Sequence, residues 1–261
     1  VPGMSDVMPY ESTRFSSMSP EQIATYRHAW AAHLRDVLER TEPDLVHVHH
    51  LWLLAAEVQQ VAAGRPVVAH CHATGLRQLE LNPHLAGEVR RGVRRIDHFL
   101  TLHEDHRELL ASVLDVPLDR ITVVGAGYRD ELFPGTPGAA DRGTTVTYAG
   151  KYSRSKGLPW LLDAVERLGA RRPELRLHVA GSGAGPEAEV LRRRMEAMAP
   201  RVVLHGQLSQ AELADRLGNS AVFVLPSLYE GLGLVLVEAA ACGCRLVATD
   251  LAGLRRAILP N

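Results

Sequence analysis

The chain has 261 residues, room for two α/β domains at the usual ~100–200 residues each. Lys and Arg number 29 against 30 Asp and Glu, so no overall field draws the protein to nucleic acid, and any partner must be recognised at a local site. Cys71, Cys242 and Cys244 lack the even spacing of a secreted disulfide scaffold, no apolar run nears the ~20 residues that span a bilayer, and the first residues show no signal-peptide pattern; a cytoplasmic location is expected.

In chain order, Ser19-Pro20-Glu21-Gln22 has the N-cap, the first-turn proline and the glutamine of a capping box. Ile23, Tyr26, Trp30, Leu34, Val37 and Leu38 then recur on one helical face, and Pro43 closes the segment. From there short apolar strands alternate with amphipathic stretches. The predicted strands are 44–49, 66–72, 98–102, 121–124, 144–149, 175–180, 202–205, 221–225 and 245–249. Helical patterns between most of them call for right-handed βαβ units and parallel sheets. The stretch from Gly125 to Gly143, rich in glycine and without apolar period, reads as an interdomain linker.

Several segments carry chemistry. Ser227-Leu228-Tyr229-Glu230-Gly231-Leu232-Gly233-Leu234 reads as a strand end, a glycine loop and a helix start, continuing to Glu238 about two turns into that helix. Glycines let backbone N–H groups approach a phosphate, and a helix N-terminus adds roughly half a positive charge, a combination suited to a diphosphate. Tyr148-Ala149-Gly150-Lys151-Tyr152-Ser153-Arg154-Ser155-Lys156-Gly157 supplies cations at a second strand-to-helix turn, with Arg154 a further candidate. Arg65-Pro66-Val67-Val68-Ala69-His70-Cys71-His72 ends a third strand in histidines, where ligands of parallel sheets collect. Each has a plain alternative: a solvated glutamate, exposed lysines, a structural histidine.

Glu230 and Glu238, in the context E-G-L-G-L-V-L-V-E-A-A-A-C-G, resemble the signature of family 4 retaining glycosyltransferases. The resemblance implies an α/β fold of two Rossmann-like domains whose parallel sheets face a cleft, the GT-B arrangement. Residues 1–126 would form an incomplete, acceptor-side N-terminal domain, and residues 127–261 a truncated, nucleotide-sugar-binding C-terminal domain. The family's opening strand with its glycine-rich loop, and its closing helix, have no counterpart here, so a fragment is expected.

By the same resemblance Glu230 contacts the donor sugar and Glu238 the ribose. Lys156 and Lys151 offset the diphosphate, with Lys151 standing where the family usually has arginine. Gly231, Leu232, Gly233 and Leu234 line the donor loop, Gly181 and Gly206 the glycine turn and base pocket, and His72 faces the transferred sugar in preference to His70. Catalysis would rest on His72, Glu230 and Lys156. The implied reaction moves a hexosyl group from a nucleoside diphosphate sugar to a saccharide, lipid-linked or small-molecule acceptor, with retention and with no metal or cofactor.

His47, His49, His50, His70, Cys71 and His72 also suggest metal ligands, but alternation divides them between faces and no spacing matches a zinc motif, so no metal site is expected. Arg90, Arg91, Arg94 and Arg95 form a stripe read as a solvated face, with peripheral contact to anionic lipid on the inner membrane surface as the alternative. A nucleotide-sugar epimerase, a non-catalytic binding module and a histidine-based metal enzyme are the rival functions.

Overall fold

The computed structural model describes residues 2–3, 12–134 and 142–258. The chain divides into two compact units, one holding residues 12–125 and the other residues 126–261.

In the first unit helix α1 (Pro20–Thr41) opens on the Ser19 capping box and ends at Glu42 in a left-handed conformation. Ile23, Ala31 and Leu38 form its most buried stripe, so the inward face read from the sequence is right, and Ala31 belongs to it. Four parallel strands follow, β1 (Val46–His49), β2 (Val67–His70), β3 (His98–Thr101) and β4 (Ile121–Val123), in the order β1-β2-β3-β4. The connecting helices are α2 (Leu53–Val61), α3 (Thr74–Leu81), α4 (Pro83–Val93) and α5 (Glu104–Leu114). Trp52, Val67, Val89, Ile96, Phe99 and Leu110, all essentially inaccessible, are part of one core.

The second unit is a five-stranded parallel sheet, β5 (Thr145–Ala149), β6 (Arg176–Ala180), β7 (Val202–Gly206), β8 (Val222–Leu225) and β9 (Arg245–Ala248), in the order β7-β6-β5-β8-β9. Its helices are α6 (Leu158–Gly169), α7 (Pro186–Ala197), α8 (Gln210–Gly218), α9 (Leu234–Ala241) and α10 (Ala252–Ile258). Strand alternation sends Tyr148 and Val224 into one core with Leu158, Leu162 and Met195, while Phe223 and Leu225 enter another with Leu217, Leu236 and Ala239. The sheet is thus covered on both faces, which is why its strands read as apolar runs. A buried hydroxyl pair, Thr147 Oγ1 to Ser220 Oγ at 2.6 Å, ties β5 to the start of β8.

All nine predicted strands are present, within a residue or two at their ends. The supposed linker is corrected in part: Leu132 and Phe133 belong to the second unit, with Phe133 fully buried against the α8–α9 core, while residues 135–141 lie outside the described residues. Two aromatic-aliphatic residues in a glycine-rich tract carry no period, so the sequence pattern passed over them. Among the described residues no helix is long and apolar enough to cross a membrane.

Candidate functional site

In the second unit, β6 and β7 lie to one side of β5, and β8 and β9 to the other. The direction of winding therefore reverses between β5 and β8, and the loops leaving their carboxyl ends flank the crevice where open α/β sheets bind ligands. These two loops are the lysine segment and the Glu230 segment.

The lysine loop leaves β5 at Gly150, whose N–H donates to the Ala180 carbonyl at 3.0 Å. A 3-10 turn, Arg154–Lys156, then intervenes before α6, a step the sequence pattern had merged with the helix start. Gly157 joins the two in a left-handed conformation, φ +72°, and a Cβ there would run into the Pro226 carbonyl of the other loop. The loops are also bonded, Leu228 N–H to Ser155 carbonyl at 2.9 Å.

That contact brings Lys156 to Glu230 across 74 residues of sequence. Lys156 Nζ donates to Glu230 Oε1 at 2.6 Å, and Ser227 Oγ donates to the same oxygen at 2.8 Å. The two charged side chains are mostly buried, 26% and 14% exposed. Lys151 shares this field: burial lowers its pKa, the Lys156 charge lowers it further, and Glu230 opposes both. The Arg154 guanidinium lies 5.1 Å over the Trp160 ring.

The glycine loop ends at Gly233, the left-handed N-cap of α9. A Cβ at Gly233 would meet the Leu254 side chain. Leu232 is buried and Leu234, the first residue of α9, is exposed; Gly231 packs its carbonyl against Gly253 of α10. Because the helix starts at Leu234, Glu238 stands just over one turn into it, not two. Glu238 is half-buried, and burial raises its pKa. It also adds to the rise of the Cys242 thiol, which burial mainly causes and Arg142 opposes.

Gly150, Gly181 and Gly206 form a row across the ends of β5, β6 and β7. The Gly181 N–H donates to the Gly206 carbonyl at 2.6 Å, and a Cβ on Gly181, φ +123°, would overlap the Gly150 carbonyl. Beside them opens a cavity of about 650 Å³, lined by Tyr152, Gly181, Gly183, Glu189, Arg192 and Gly206 among others. Glu189 and Arg192, on the exposed side of α7, were not foreseen. Nothing in a surface-charge pattern marks them until the glycine turn fixes where α7 begins.

His72 belongs to the first unit and lies two residues beyond β2. Its Nε2 is 2.7 Å from His49 Nδ1. Burial first, then the neighbouring histidines, lower its pKa to about 4, so the ring is neutral at pH 7. Ala73, the next residue, has φ +55°, and His50 at the end of β1 has φ +66°. Such values cost a non-glycine residue about 1–2 kcal/mol and collect at functional turns.

Both halves of the chain resemble known proteins. Residues 143–261 match the family model described as Glycosyl transferases group 1, and residues 8–132 match Glycosyltransferase Family 4. A D-inositol 3-phosphate glycosyltransferase of Xylanimonas cellulosilytica is 30% identical over 275 residues, covering 93% of this chain and 64% of its own. A glycogen synthase of Mycobacterium tuberculosis is 28% identical over 231 residues, covering 83% of this chain and 54% of its own. The crystal structure of Anabaena HepE in complex with UDP-glucose superposes with a TM-score of 0.67 at 18% identity, covering 85% of this chain and 64% of that one. The chain thus spans between half and two thirds of the length of the curated relatives it matches.

Proposed function

Starting from a chain that belongs, by both its halves, to the glycosyltransferases of GT-B fold, we propose that the intact protein moves a hexosyl group from a nucleoside diphosphate sugar to an acceptor hydroxyl, with retention of configuration. The acceptor class is a saccharide, a lipid-linked species or a small polyol. One observation carries the proposal: the Lys156–Glu230 pair sits at the winding reversal between β5 and β8, with a glycine-capped helix start beside it. The UDP-glucose held by the similar HepE structure supports this donor class.

The chemistry follows from charge. When the sugar–phosphate bond breaks, negative charge grows on the diphosphate, and preorganised cations and amides in a mostly buried site stabilise that charge far more than water does. Lys156, Lys151 and the first-turn amides of α9 fill this role. Glu230, an acceptor already fixed by two donors, takes hydroxyls of the hexose, and Glu238 takes those of the ribose. His72, neutral at working pH, is the first unit's candidate on the family resemblance. Once the donor has drawn Lys156 to its diphosphate, Glu230 serves the hydroxyls of the sugar and not its anomeric carbon, so same-face attack assisted by the leaving phosphate is the proposed route over a double displacement. That chemistry needs no metal ion.

The test gives the intact protein a panel of uridine, guanosine and adenosine diphosphate sugars, with and without candidate acceptors. Consumption of one donor only when an acceptor is present, with an α-linked product from an α-linked donor, is the expected result. Free nucleotide and an altered sugar without acceptor identify an epimerase instead, and tight binding without turnover identifies a binding module. Glu230→Gln is expected to lower transfer far more than nucleotide binding; equal transfer by variant and wild type removes Glu230 from the site.

A further inference from the structure

The histidines that transfer leaves unused gather on the first unit's sheet. Parallel pairing sets His49 of β1 directly opposite His70 of β2. His47, two residues earlier on β1, shares their face by strand alternation. Ring centroids are 4.5 Å apart for His47 and His49, 5.6 Å for His49 and His70, and 6.2 Å for His47 and His70. One ring nitrogen from each of the three lies within 4.8 Å of the other two. His47 and His49 are exposed and His70 is half-buried, so solvent ions reach the set. His70 Nε2 is itself buried and has no hydrogen-bond partner among the described residues.

We propose that His47, His49 and His70 bind a divalent transition-metal ion of the Zn²⁺ class. Three neutral imidazoles with no oxygen donor suit Zn²⁺, Ni²⁺ or Cu²⁺ and not Mg²⁺ or Ca²⁺. On one zinc, with Zn–N of about 2.0–2.1 Å, two tetrahedral nitrogens sit about 3.4 Å apart, so modest rotation of the exposed His47 and His49 rings completes the site. His49 uses Nδ1 to reach His72, which leaves Nε2 for the ion. Metal-bound histidines usually donate their second ring N–H to a neighbour, and His72 Nε2 stands where that acceptor belongs. No single segment spells a zinc motif because the site is closed by the register of two strands. It lies wholly within the first unit and does not rest on the transfer reading, although the His49–His72 hydrogen bond joins it to a residue of that reading.

The test titrates the chelator-treated intact protein with Zn²⁺ by calorimetry and with Co²⁺ by visible absorption. One ion per chain at micromolar or tighter dissociation is expected, with the strengthened visible absorption that Co²⁺ shows at low coordination number. His47→Ala and His49→Ala, both at exposed positions, should each weaken binding at least ~30-fold, while His84→Ala leaves it unchanged. Circular dichroism of the metal-free variants confirms that they fold. Equal affinity in wild type and His47→Ala, or no binding below about 100 µM, overturns the proposal.

Discussion

The two sheets gather their candidate groups by different means. In the second unit the winding reversal makes the β5 and β8 loops neighbours, and backbone contacts hold them together: Gly157 against Pro226, Leu228 against Ser155. The side chains meet because the loops do. In the first unit the order is monotonic, β1 to β4, and the histidines meet through the register of two adjacent strands, with rings stacked on rings. A site fixed by backbone is sensitive to any added atom at its glycines, whereas one fixed by side chains is sensitive to the rings themselves.

The sharpest way to break this contrast is at glycine. Gly157→Ala combines a left-handed backbone with overlap onto the Pro226 carbonyl, and should cost about 2–5 kcal/mol and abolish donor binding. Gly206→Ala, also left-handed at φ +69° but facing open space, should cost only about 1–2 kcal/mol. Thermal melts and donor titration of the two variants compare them directly; equal losses would mean that the loop contact is not what holds the site.

Next in size is charge removal. Lys156→Met should slow transfer by ~10²–10³, the usual loss for one preorganised donor at a developing oxyanion, against about tenfold for His72→Gln. Steady-state rates with the identified donor check the ranking, and a reversed order would move the centre of the chemistry to the first unit. A smaller effect concerns pH. With the Lys151 pKa lowered by burial and by Lys156, the charge is lost at a lower pH than for an ordinary lysine, so donor affinity should weaken early on the alkaline side. Lys151→Arg should extend binding to higher pH, read from the dissociation constant between pH 7 and 10.

Acid sensitivity gives the smallest signal. Burial, then His103 and His70, lower the His106 pKa to about 4 from 6.5. The unfolded chain therefore takes up a proton that the folded one refuses. The stabilisation is complete above about pH 6.5 and is lost as the pH falls to about 4. His178 in the second unit behaves alike, also at about 4. His106→Gln should flatten the acid loss of stability, followed through the fluorescence of buried Trp52; an unchanged acid limb would remove His106 as its cause.

Much of this was legible in the chain. Parallel strands covered on both faces are nearly uninterrupted apolar runs, and Ser19 to Gln22 is a capping box in letters as in space. Lys156 and Glu230 were each legible as candidates, yet their bond was not. It depends on strand order, and no local pattern says that β8 lies beside β5. The start of α9 was misplaced by most of a turn because Gly231 and Gly233 look equally able to begin it, and only the left-handed backbone at Gly233 decides. Phe133 hid among glycines, and the His47, His49 and His70 set hid because its closeness is a matter of register.

The ion pair between Lys156 and Glu230 has one more consequence. Without a donor, each group satisfies the other, so the site spends no free energy holding a bare charge in a half-dry space. A diphosphate alone would draw the lysine away and strand the carboxylate; a free hexose would compete for the carboxylate while the lysine still held it. Only a molecule carrying both halves replaces both partners at once. Under the proposed function, the pair would act as a test of wholeness, favouring the intact nucleotide sugar over its own breakdown products and helping the spent nucleotide to leave once the sugar is gone.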